Sequence, residues 1–540
     1  MLASVEKSSY NKHDLFKKPR YMVSLAQNTS HIGFGRALCC GYEENIRTML
    51  NRVKRLTQWA QDRWYLLFIS LLLVMRVFFW FSPSHAEKIN MIYLWPAVIA
   101  SAVLMFYSRR ALLPKGFALS MGAVLWLFLS CLINGDAYLI YNRTFILGVF
   151  ISFISFLIVI PTLHAGQRAG GFAMLSLVYG VLMLLLAALS IGVVLTGTPF
   201  STPLSDERIH VSINRLFLFR YHPNEVGSAF VIGLYLLMYL LLRSRAILYK
   251  LLLAAGVLIL SLAIALTGSR TAILLAACGI GFAVFWPICH HAFEGKSRAW
   301  VKWVIGTVSM LAVTLIVYVA LTFSVGVISN LSSLTASQRA AEATITQTPA
   351  DTTEAIAQAP ADTVETIVQT PDDTAADNAV HMDESRILLK DIGTFNMRVE
   401  IWQTGLTYLA ENPRALLFGA PDHVVARIPS SVGRSEFHMH NAYLEMLLLG
   451  GIPGLLLYLG FLFVVFRSCL QLAFGKRSRL EHRFLAMLPV LIAVNGITEI
   501  YPLFSGNVMD MMYFAISGAV IVFAQELYPP ASKRSLDPAL

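Results

Sequence analysis

The sequence has too few charged side chains to cover a soluble protein of its length. Only 14% of the 540 residues are Asp, Glu, Lys or Arg, whereas 56% are apolar. A soluble domain carries roughly 25% charged residues, because water must solvate its surface. A chain of several soluble domains is therefore excluded, and the composition predicts an integral membrane protein whose apolar surface faces lipid.

Cysteine is also scarce, and its distribution excludes two kinds of site. The six cysteines lie in apolar segments or in segments that we place on the cytoplasmic side, and no CxxC pair occurs. Extracytoplasmic disulfides and a zinc knuckle are therefore not expected. The basic N-terminus lacks a compact apolar region with a cleavage site, so we expect no removable signal peptide. We expect neither a metal nor an organic cofactor.

Positive charge is in excess, but it is concentrated beside apolar segments. The net charge is +10, and residues 1–63 hold eleven Lys or Arg against five Asp or Glu. Basic residues that flank apolar spans are typical of the cytoplasmic loops of membrane proteins. We therefore interpret residues 1–63 as a basic cytoplasmic extension and expect no nucleic-acid partner.

Apolar runs of about 20 residues, the length that crosses a bilayer as a helix, recur along the chain. They predict an all-α polytopic membrane protein with about twelve spans, nine within 64–328 and three within 442–527. A long outer loop at 329–441 precedes the tenth span, and a tail at 528–540 follows the last. The alternation of basic loops predicts that both termini are cytoplasmic. The predicted spans are approximately 64–81, 91–107, 117–134, 144–163, 171–195, 226–242, 247–267, 271–289, 300–328, 442–466, 484–500 and 508–527.

Nine arginines fall on the predicted outer side, against the usual charge asymmetry of membrane proteins. An anionic substrate on that side would explain them. The alternative is a set of solvated or ion-paired loop arginines, because exposed ion pairs are common and weak. The nine are Arg208, Arg215, Arg220, Arg270, Arg386, Arg398, Arg414, Arg427 and Arg434.

The long outer loop contains an acidic, Thr- and Ala-rich insert at 331–386. Within it a sequence unit repeats with a period of eleven residues, and every unit contains a proline. Proline interrupts a helix, so the insert is predicted to be a disordered tether without a chemical role.

The segment after the insert has a different pattern. Apolar residues recur at helical spacing over 396–411, which predicts an amphipathic helix. Arg398 and Trp402 are one turn apart on this helix, so their side chains are expected on the same face.

Two outer arginines lie at predicted membrane boundaries. Arg270 stands in a turn of about three residues between two apolar spans, and Arg220 precedes the His-Pro-Asn sequence that ends with Asn224. A guanidinium group offers a fork of donors that matches a phosphate. The alternatives are a snorkelling side chain for Arg270 and a simple helix start for the segment of Arg220.

The tenth predicted span begins with His440 and Asn441. Asparagine is a favourable N-cap, and the N-terminus of a helix favours a bound anion. His440 is a candidate proton acceptor near neutral pH, with an inert loop histidine as the alternative. His438 and His440 could form half of a metal site, but no carboxylate partner is evident. Gly451 and Gly454 allow close approach of a neighbouring backbone.

These motifs resemble those of a known family. His440-Asn441, nine residues, and then Gly451 to Gly454 resemble the HNx9GxxG signature of bacterial O-antigen ligases. The order FRYHPN, GSR, RxxxW and HN, over residues 219–454, is similar to that of the O-antigen ligase and polymerase superfamily. Leu455 stands where ligases tend to have threonine, a difference that favours a polymerase.

The resemblance implies a GT-C-like glycosyltransferase in the bacterial inner membrane, with a periplasmic active site. The donor would be a glycan linked to undecaprenyl diphosphate. In a ligase the acceptor is a hydroxyl of the lipid A core. In a polymerase it is another lipid-linked repeat unit of O-antigen, capsule or exopolysaccharide, and related members transfer glycans to protein hydroxyls.

From these residues we predict a metal-independent reaction that inverts the anomeric carbon. Arg220, Arg270 and Arg398 are expected to bind the diphosphate, and His440 is expected to act as general base, with Arg270 as the second catalytic residue. The expected supporting residues are Asn441, His438, Asn224, Trp402, Gly451 and Gly454.

A secondary transporter and a flippase are the alternative classes. A transporter places ionisable residues at mid-membrane depth. It also often has two matching halves, and this sequence has no such halves. An enzyme of the predicted kind would gather its essential charges at the outer ends of the helices. The depth of the buried charges therefore distinguishes the two classes.

Overall fold

The computed structural model describes residues 33–78, 114–135, 157–202, 205–212, 215–218, 222–290, 299–346, 393–425, 427–431, 439–499 and 508–529. The chain divides into two compact units, Met1–Trp64 and Tyr65–Leu540. The helices are α1 Gly33–Phe78, α2 Phe117–Ile133, α3 Arg168–Thr196, α4 Pro223–Arg243, α5 Ile247–Leu266, α6 Arg270–His290, α7 Ala299–Thr346, α8 Gly393–Glu411, α9 Pro413–Phe418, α10 Asp422–Val425, α11 Ile428–Ser431, α12 Ala442–Phe474, α13 Leu480–Leu485, α14 Met487–Asn495 and α15 Val508–Leu527. The strands are β1 Phe200–Thr202, β2 Ser205–Ser212 and β3 Arg215–Leu218.

The described part of the first unit is helical, and belongs to α1. From residue 48 onward its apolar side chains are largely exposed; Met49, for example, retains 68% of its surface. The Arg63 guanidinium lies 4.0 Å from the centroid of the Trp59 ring. Such a cation–π contact contributes about 0.5–1 kcal/mol at an exposed site.

The second unit contains the apolar helices. Seven described helices are long and apolar enough to cross a membrane, namely α3, α4, α5, α6, α7, α12 and α15. Along their apolar windows α15 is 94% buried and α4 is 83% buried, whereas α7 is only 11% buried. A helix that is apolar all round and buried by protein lies at the centre of a bundle, and one that exposes its apolar surface faces lipid. The class of an all-α polytopic membrane protein is confirmed.

The described helices do not confirm the predicted number of about twelve spans. The seven apolar helices match seven predicted spans, but α2 has only 17 residues, and the span predicted at 91–107 lies outside the described residues. The span predicted at 484–500 is instead divided into α13 and α14 at Ala486. Pro489 explains the break, because a proline cannot donate to the carbonyl four residues earlier and its ring clashes there.

Helix α7 extends further than predicted. It continues to Thr346 and so includes residues 331–346, which were predicted to belong to the disordered insert. The first proline of the repeat is Pro349, so nothing in the sequence interrupts the helix before that point. The rest of the insert, 347–386, lies outside the described residues.

A small sheet follows α3 and was not predicted. Strands β1, β2 and β3 form an antiparallel meander, with Ser201 opposite Arg208 and Ser212 opposite Arg215. Two of the nine outer arginines therefore lie on strands. The segment is too short for periodicity alone to have distinguished a strand from a loop.

Candidate active site

The candidate site is formed where α4, α6 and α12 begin. The α5–α6 turn packs on the first turn of α4, since a Cβ placed on Gly227 would lie 2.7 Å from Cβ of Ala272 and 3.1 Å from Oγ1 of Thr267. One turn earlier on α4, Asn224 donates from Nδ2 to Oε1 of Glu499 at 2.9 Å. Glu499 in turn lies beside the start of α12, because its carbonyl accepts from the Ala442 amide at 3.0 Å.

Local sequence fixes the start of α4. His222 is the N-cap residue, in extended conformation, and its Nδ1 accepts from the Asn224 amide at 3.3 Å. Pro223 follows at the first helical position, where its missing N–H is no disadvantage. Glu225 in the first turn complements the positive end of the helix dipole. The side chain of Asn224 is thereby held at the helix end that faces Glu499.

Local sequence also fixes Arg270, the first residue of α6. Gly268 has a φ of +60°, which glycine adopts without strain. The amide of Ser269 donates to Oγ1 of Thr267 at 3.2 Å, and Oγ of Ser269 accepts from the Ala272 amide at 3.4 Å. Arg270 is half-buried. The turn therefore fixes the backbone of Arg270 at the start of α6.

His440 has a strained backbone that its neighbours hold in place. Its φ is +50°, the one positive value at a non-glycine residue in the part of the chain that the structure describes. The Met439 amide donates to Oε2 of Glu445 at 2.7 Å, and the Met439 carbonyl accepts from Nε1 of Trp402 at 2.9 Å. On the other side, Oδ1 of Asn441 caps α12. Strain of this kind costs about 1–3 kcal/mol and is concentrated at functional sites.

Asn441 has the structural role that the sequence predicted. Its Oδ1 accepts from the amides of Tyr443 at 3.0 Å and Leu444 at 2.9 Å. These contacts satisfy two of the amides that a helix N-terminus leaves without intrahelical partners. The cap fixes the direction in which the chain enters α12, and with it the position of His440.

Glu499 connects the elements of the site, although the sequence analysis did not single it out. Its side chain is 3% exposed, and Oε1 lies 3.1 Å from Nη2 of Arg398 in addition to its contact with Asn224. The other oxygen, Oε2, lies 3.6 Å from Nδ1 of His440. A signal was present: an acidic residue at the end of an apolar segment is a functional candidate in a membrane protein.

Arg398 and Trp402 both reach the site from α8, as their spacing predicted. Nη1 of Arg398 donates to the Thr498 carbonyl at 2.7 Å, while Nη2 contacts Glu499. Trp402 binds the Met439 carbonyl. Two of the three guanidinium nitrogens of Arg398 are therefore engaged by protein acceptors, which leaves this residue fewer donors for a diphosphate than the sequence suggested.

Two predicted site residues cannot be placed. Arg220 and His438 lie outside the described residues. Within the described ranges, no group of three or more His, Cys, Asp and Glu side chains is arranged to hold a metal ion. Metal-independent activity stays a prediction.

The glycine motif of α12 forms a break in that helix. Gly451 has φ +63° and ψ −169°, so the helix is interrupted there. The carbonyls that this break frees are bound from α2: Nε1 of Trp126 donates to Gly450 at 2.7 Å, and Oγ of Ser130 donates to Leu449 at 2.7 Å. Buried carbonyls freed by a kink need such donors. The motif therefore shapes the helix that carries His440.

Substitution of Gly451 by alanine should destabilise the protein without touching the reacting groups. A Cβ at this position would lie 2.7 Å from the carbonyl oxygens of Leu416 and Leu417, and the positive φ adds strain. Together we expect a loss of about 2–4 kcal/mol, visible as a lower midpoint of thermal unfolding in detergent. Gly192→Ala is the control, because no heavy atom lies within 4 Å of its Cβ position. An unchanged midpoint for Gly451→Ala would contradict this account.

Gly454 has a different role from Gly451. Its Cβ position lies 3.2 Å from Cδ1 of Trp126. The glycine therefore lets the indole of α2 approach α12 closely enough to bind the Gly450 carbonyl. Gly451 therefore permits the close approach of α9 to α12, and Gly454 permits that of α2.

Seven apolar helices, together with the half-buried Arg398 and the buried Glu499 and His440 at their ends, define a polytopic membrane protein with a polar site at one end of the bundle. Residues 255–459 match a protein-family model described as O-antigen ligase. This match confirms the predicted resemblance to the O-antigen ligase and polymerase superfamily. No curated protein and no solved structure gives a significant match.

The matched segment contains some of the site but not all of it. Arg270, Arg398 and His440 lie within residues 255–459, whereas Asn224 and Glu499 lie outside. The residues inside the match and those outside it are nevertheless joined by direct contacts in the structure.

Proposed function

We propose that the protein transfers a glycan from undecaprenyl diphosphate to an acceptor hydroxyl at the periplasmic face of the bacterial inner membrane. The observation that supports this most is the position of His440, a strained and buried histidine that contacts Glu499, as Arg398 also does, at the same bundle end as Arg270. The match to the O-antigen ligase family covers all three residues. A ligase acting on a lipid A core sugar is the leading assignment.

The donor contains an activated bond, so the enzyme must stabilise the departing diphosphate and orient the acceptor. Fixed positive groups at the site of developing charge are usually the largest contribution to such a step. We assign this role to Arg270, with Arg220 as a second contact. Arg398 would contribute as a third contact through its remaining N–H groups, since Nη1 and Nη2 are bound to Thr498 and Glu499.

His440 acts as general base in this proposal. Its imidazole takes the proton of the acceptor hydroxyl while that oxygen attacks the anomeric carbon from the side opposite the diphosphate. A single direct displacement inverts the configuration at that carbon. The arginines supply the positive charge that a divalent metal provides in other transferases, so the reaction is expected to proceed in EDTA.

The positions of the buried charges support an enzyme over a carrier. In the described part of the chain, the buried charged residues of the apolar helices lie in a first turn: Arg168 in α3, Glu445 in α12 and Asp510 in α15. A carrier needs ionisable groups near the middle of its spans. A flippase would likewise need charge along a central cavity.

Two experiments test the proposed function. Purified protein in detergent with EDTA should transfer glycan from undecaprenyl diphosphate to lipid A core, and the anomeric configuration of the product, measured by NMR, should be inverted relative to the donor. Deletion of the gene should cause full-length lipid-linked polymer to accumulate. Accumulation of single lipid-linked units would instead identify a polymerase, the alternative that Leu455 favours. Absence of transfer by the purified protein, together with no accumulation of lipid-linked glycan after gene deletion, would contradict both the ligase and the polymerase assignments.

A further inference from the structure

We infer that Glu499 is a positioning residue that acts through His440, holding its ring so that Nε2 faces the acceptor hydroxyl. This inference rests on the proposed function. It starts from one juxtaposition: Oε2 of Glu499 lies 3.6 Å from Nδ1 of His440, and both side chains are buried. Glu499 lies beyond residue 459, the end of the family match.

The two carboxylate oxygens of Glu499 contact different partners. Oε1 accepts from Asn224 at 2.9 Å and from Arg398 at 3.1 Å. These two donors hold the carboxylate in its ionised form inside the protein, where a lone charge would cost several kcal/mol. Oε2 is directed to the imidazole of His440. The carboxylate is thus anchored by one oxygen and meets the base with the other.

The contact with His440 determines which ring nitrogen can act as the base. A distance of 3.6 Å is an ion-pair distance, slightly longer than a hydrogen bond. Catalytic hydrogen bonds are often long before substrate binds and shorten in the complex. With Nδ1 directed at a carboxylate, the proton of the neutral ring resides on Nδ1, and Nε2 carries the lone pair.

The proposed step is a single displacement at the anomeric carbon. The acceptor O–H proton passes to Nε2 of His440, and the acceptor oxygen forms a bond to the anomeric carbon. The bond from that carbon to the diphosphate oxygen breaks, and its electron pair leaves with the diphosphate. Glu499 stays ionised and stabilises the imidazolium through Nδ1–H. The imidazolium afterwards returns its proton to solvent.

A purely structural role for Glu499 is the competing interpretation. Its ion pair with Arg398 joins α8 to the turn after α14, and its carbonyl binds the Ala442 amide. A residue with a purely structural role would affect folding and every kinetic parameter alike. A residue that acts through the base would change the rate and its dependence on pH, with little effect on donor binding.

The test is Glu499→Gln, measured over a pH series. Glutamine keeps an oxygen for Asn224 and Arg398 but places an NH2 group opposite Nδ1, so that Nε2 would carry the ring proton. In a serine-protease triad the corresponding change lowers kcat by about 10⁴-fold. Here we expect a loss of at least about 100-fold in kcat, with KM for the lipid-linked donor within about threefold of wild type.

The pH profile gives a second readout. A carboxylate beside the ring favours the imidazolium, so its removal should move the acid limb of the rate profile to lower pH. The charged and titratable groups on the elements around the ring are Glu499, Arg398, Glu445, His222, Glu225 and Arg270. All of these except Glu499 are retained in the variant, so the shift reports on Glu499 alone.

Two further variants complete the experiment. Glu400→Gln makes the same chemical change at an exposed position of α8 and should leave kcat unchanged. Glu499→Asp keeps the charge and should give an intermediate kcat. If Glu499→Gln does not accumulate as folded protein, the inference is tested with Glu499→Asp instead. A wild-type kcat and pH profile for Glu499→Asp would overturn the inference.

The outcomes separate this inference from the proposed function. An inactive His440 variant together with a Glu499→Gln variant within about threefold of wild type would overturn the inference and leave the proposed function standing. A loss of rate in Glu499→Gln with an unchanged acid limb of the pH profile and a matching rise in KM would also overturn the inference. Full activity in variants of both His440 and Arg270 would instead refute the proposed function itself.

Discussion

Replacement of His440 by asparagine should reduce transfer by about 10²–10⁴-fold, the range that general base catalysis contributes. Asparagine is chosen because it lacks a base, keeps a polar side chain, and tolerates the left-handed φ of +50° better than most non-glycine residues. The folded structure should therefore persist while the proton acceptor is lost. KM for the lipid-linked donor should change little, because the base contacts the acceptor rather than the diphosphate. Steady-state kinetics with purified protein measures both quantities.

The control for this variant is His164→Ala. His164 precedes the short 3₁₀ turn at Ala165–Gln167, and its side chain makes no capping hydrogen bond there. Activity of the control should equal that of wild type. Near wild-type transfer by His440→Asn would remove the general base from the account.

Replacement of Arg270 by alanine should have an effect of similar size but a different kinetic signature. Loss of one preorganised donor at a developing negative charge costs about 10²–10³-fold in kcat. Because the same guanidinium would bind the diphosphate in the ground state, KM for the donor should also rise. Arg270→Lys should recover part of the rate, since lysine keeps the charge but lacks the fork that binds two phosphate oxygens.

The matched control for Arg270 is Arg427→Ala, at an exposed arginine on the same predicted side of the membrane. It should retain wild-type kinetics, because an exposed guanidinium contributes little. Equal losses in the two variants would indicate a general effect of positive charge. That result would contradict the assignment of a fixed diphosphate contact to Arg270.

Much of the fold follows from local features of the sequence. The apolar runs from residue 168 onward predict seven helices that are long and apolar enough to cross a membrane, because length and hydropathy suffice to define such a helix. Asn441 could be recognised as an N-cap from its position before an apolar run. The spacing of Arg398 and Trp402 was enough to place both side chains on one face of α8.

Features that depend on tertiary contacts were not accessible in this way. Pro489 divides a predicted span into two short helices, but proline inside an apolar run also occurs in continuous kinked helices. The break at Gly451 depends on donors from Trp126 and Ser130, more than 300 residues earlier in the chain. Hydropathy does not encode such partners.

In the candidate site, too, some residues can be found from local sequence and others only from tertiary contacts. The positive and imidazole groups, His440, Arg270 and Arg398, could be found because they stand out in apolar surroundings. Glu499 was missed because its role depends on partners 275 residues away at Asn224 and 101 residues away at Arg398. Its position at the end of an apolar segment marks Glu499 as a candidate, but that position alone does not distinguish a site residue from a charge at a helix end.

The most direct test of the central claim is a cryo-EM structure of the full chain with undecaprenyl diphosphate, the product that remains after transfer. The account predicts that the diphosphate contacts the Arg270 guanidinium and that Nε2 of His440 opens into the same cavity. A diphosphate bound elsewhere, with Arg270 and His440 facing separate cavities, would contradict it.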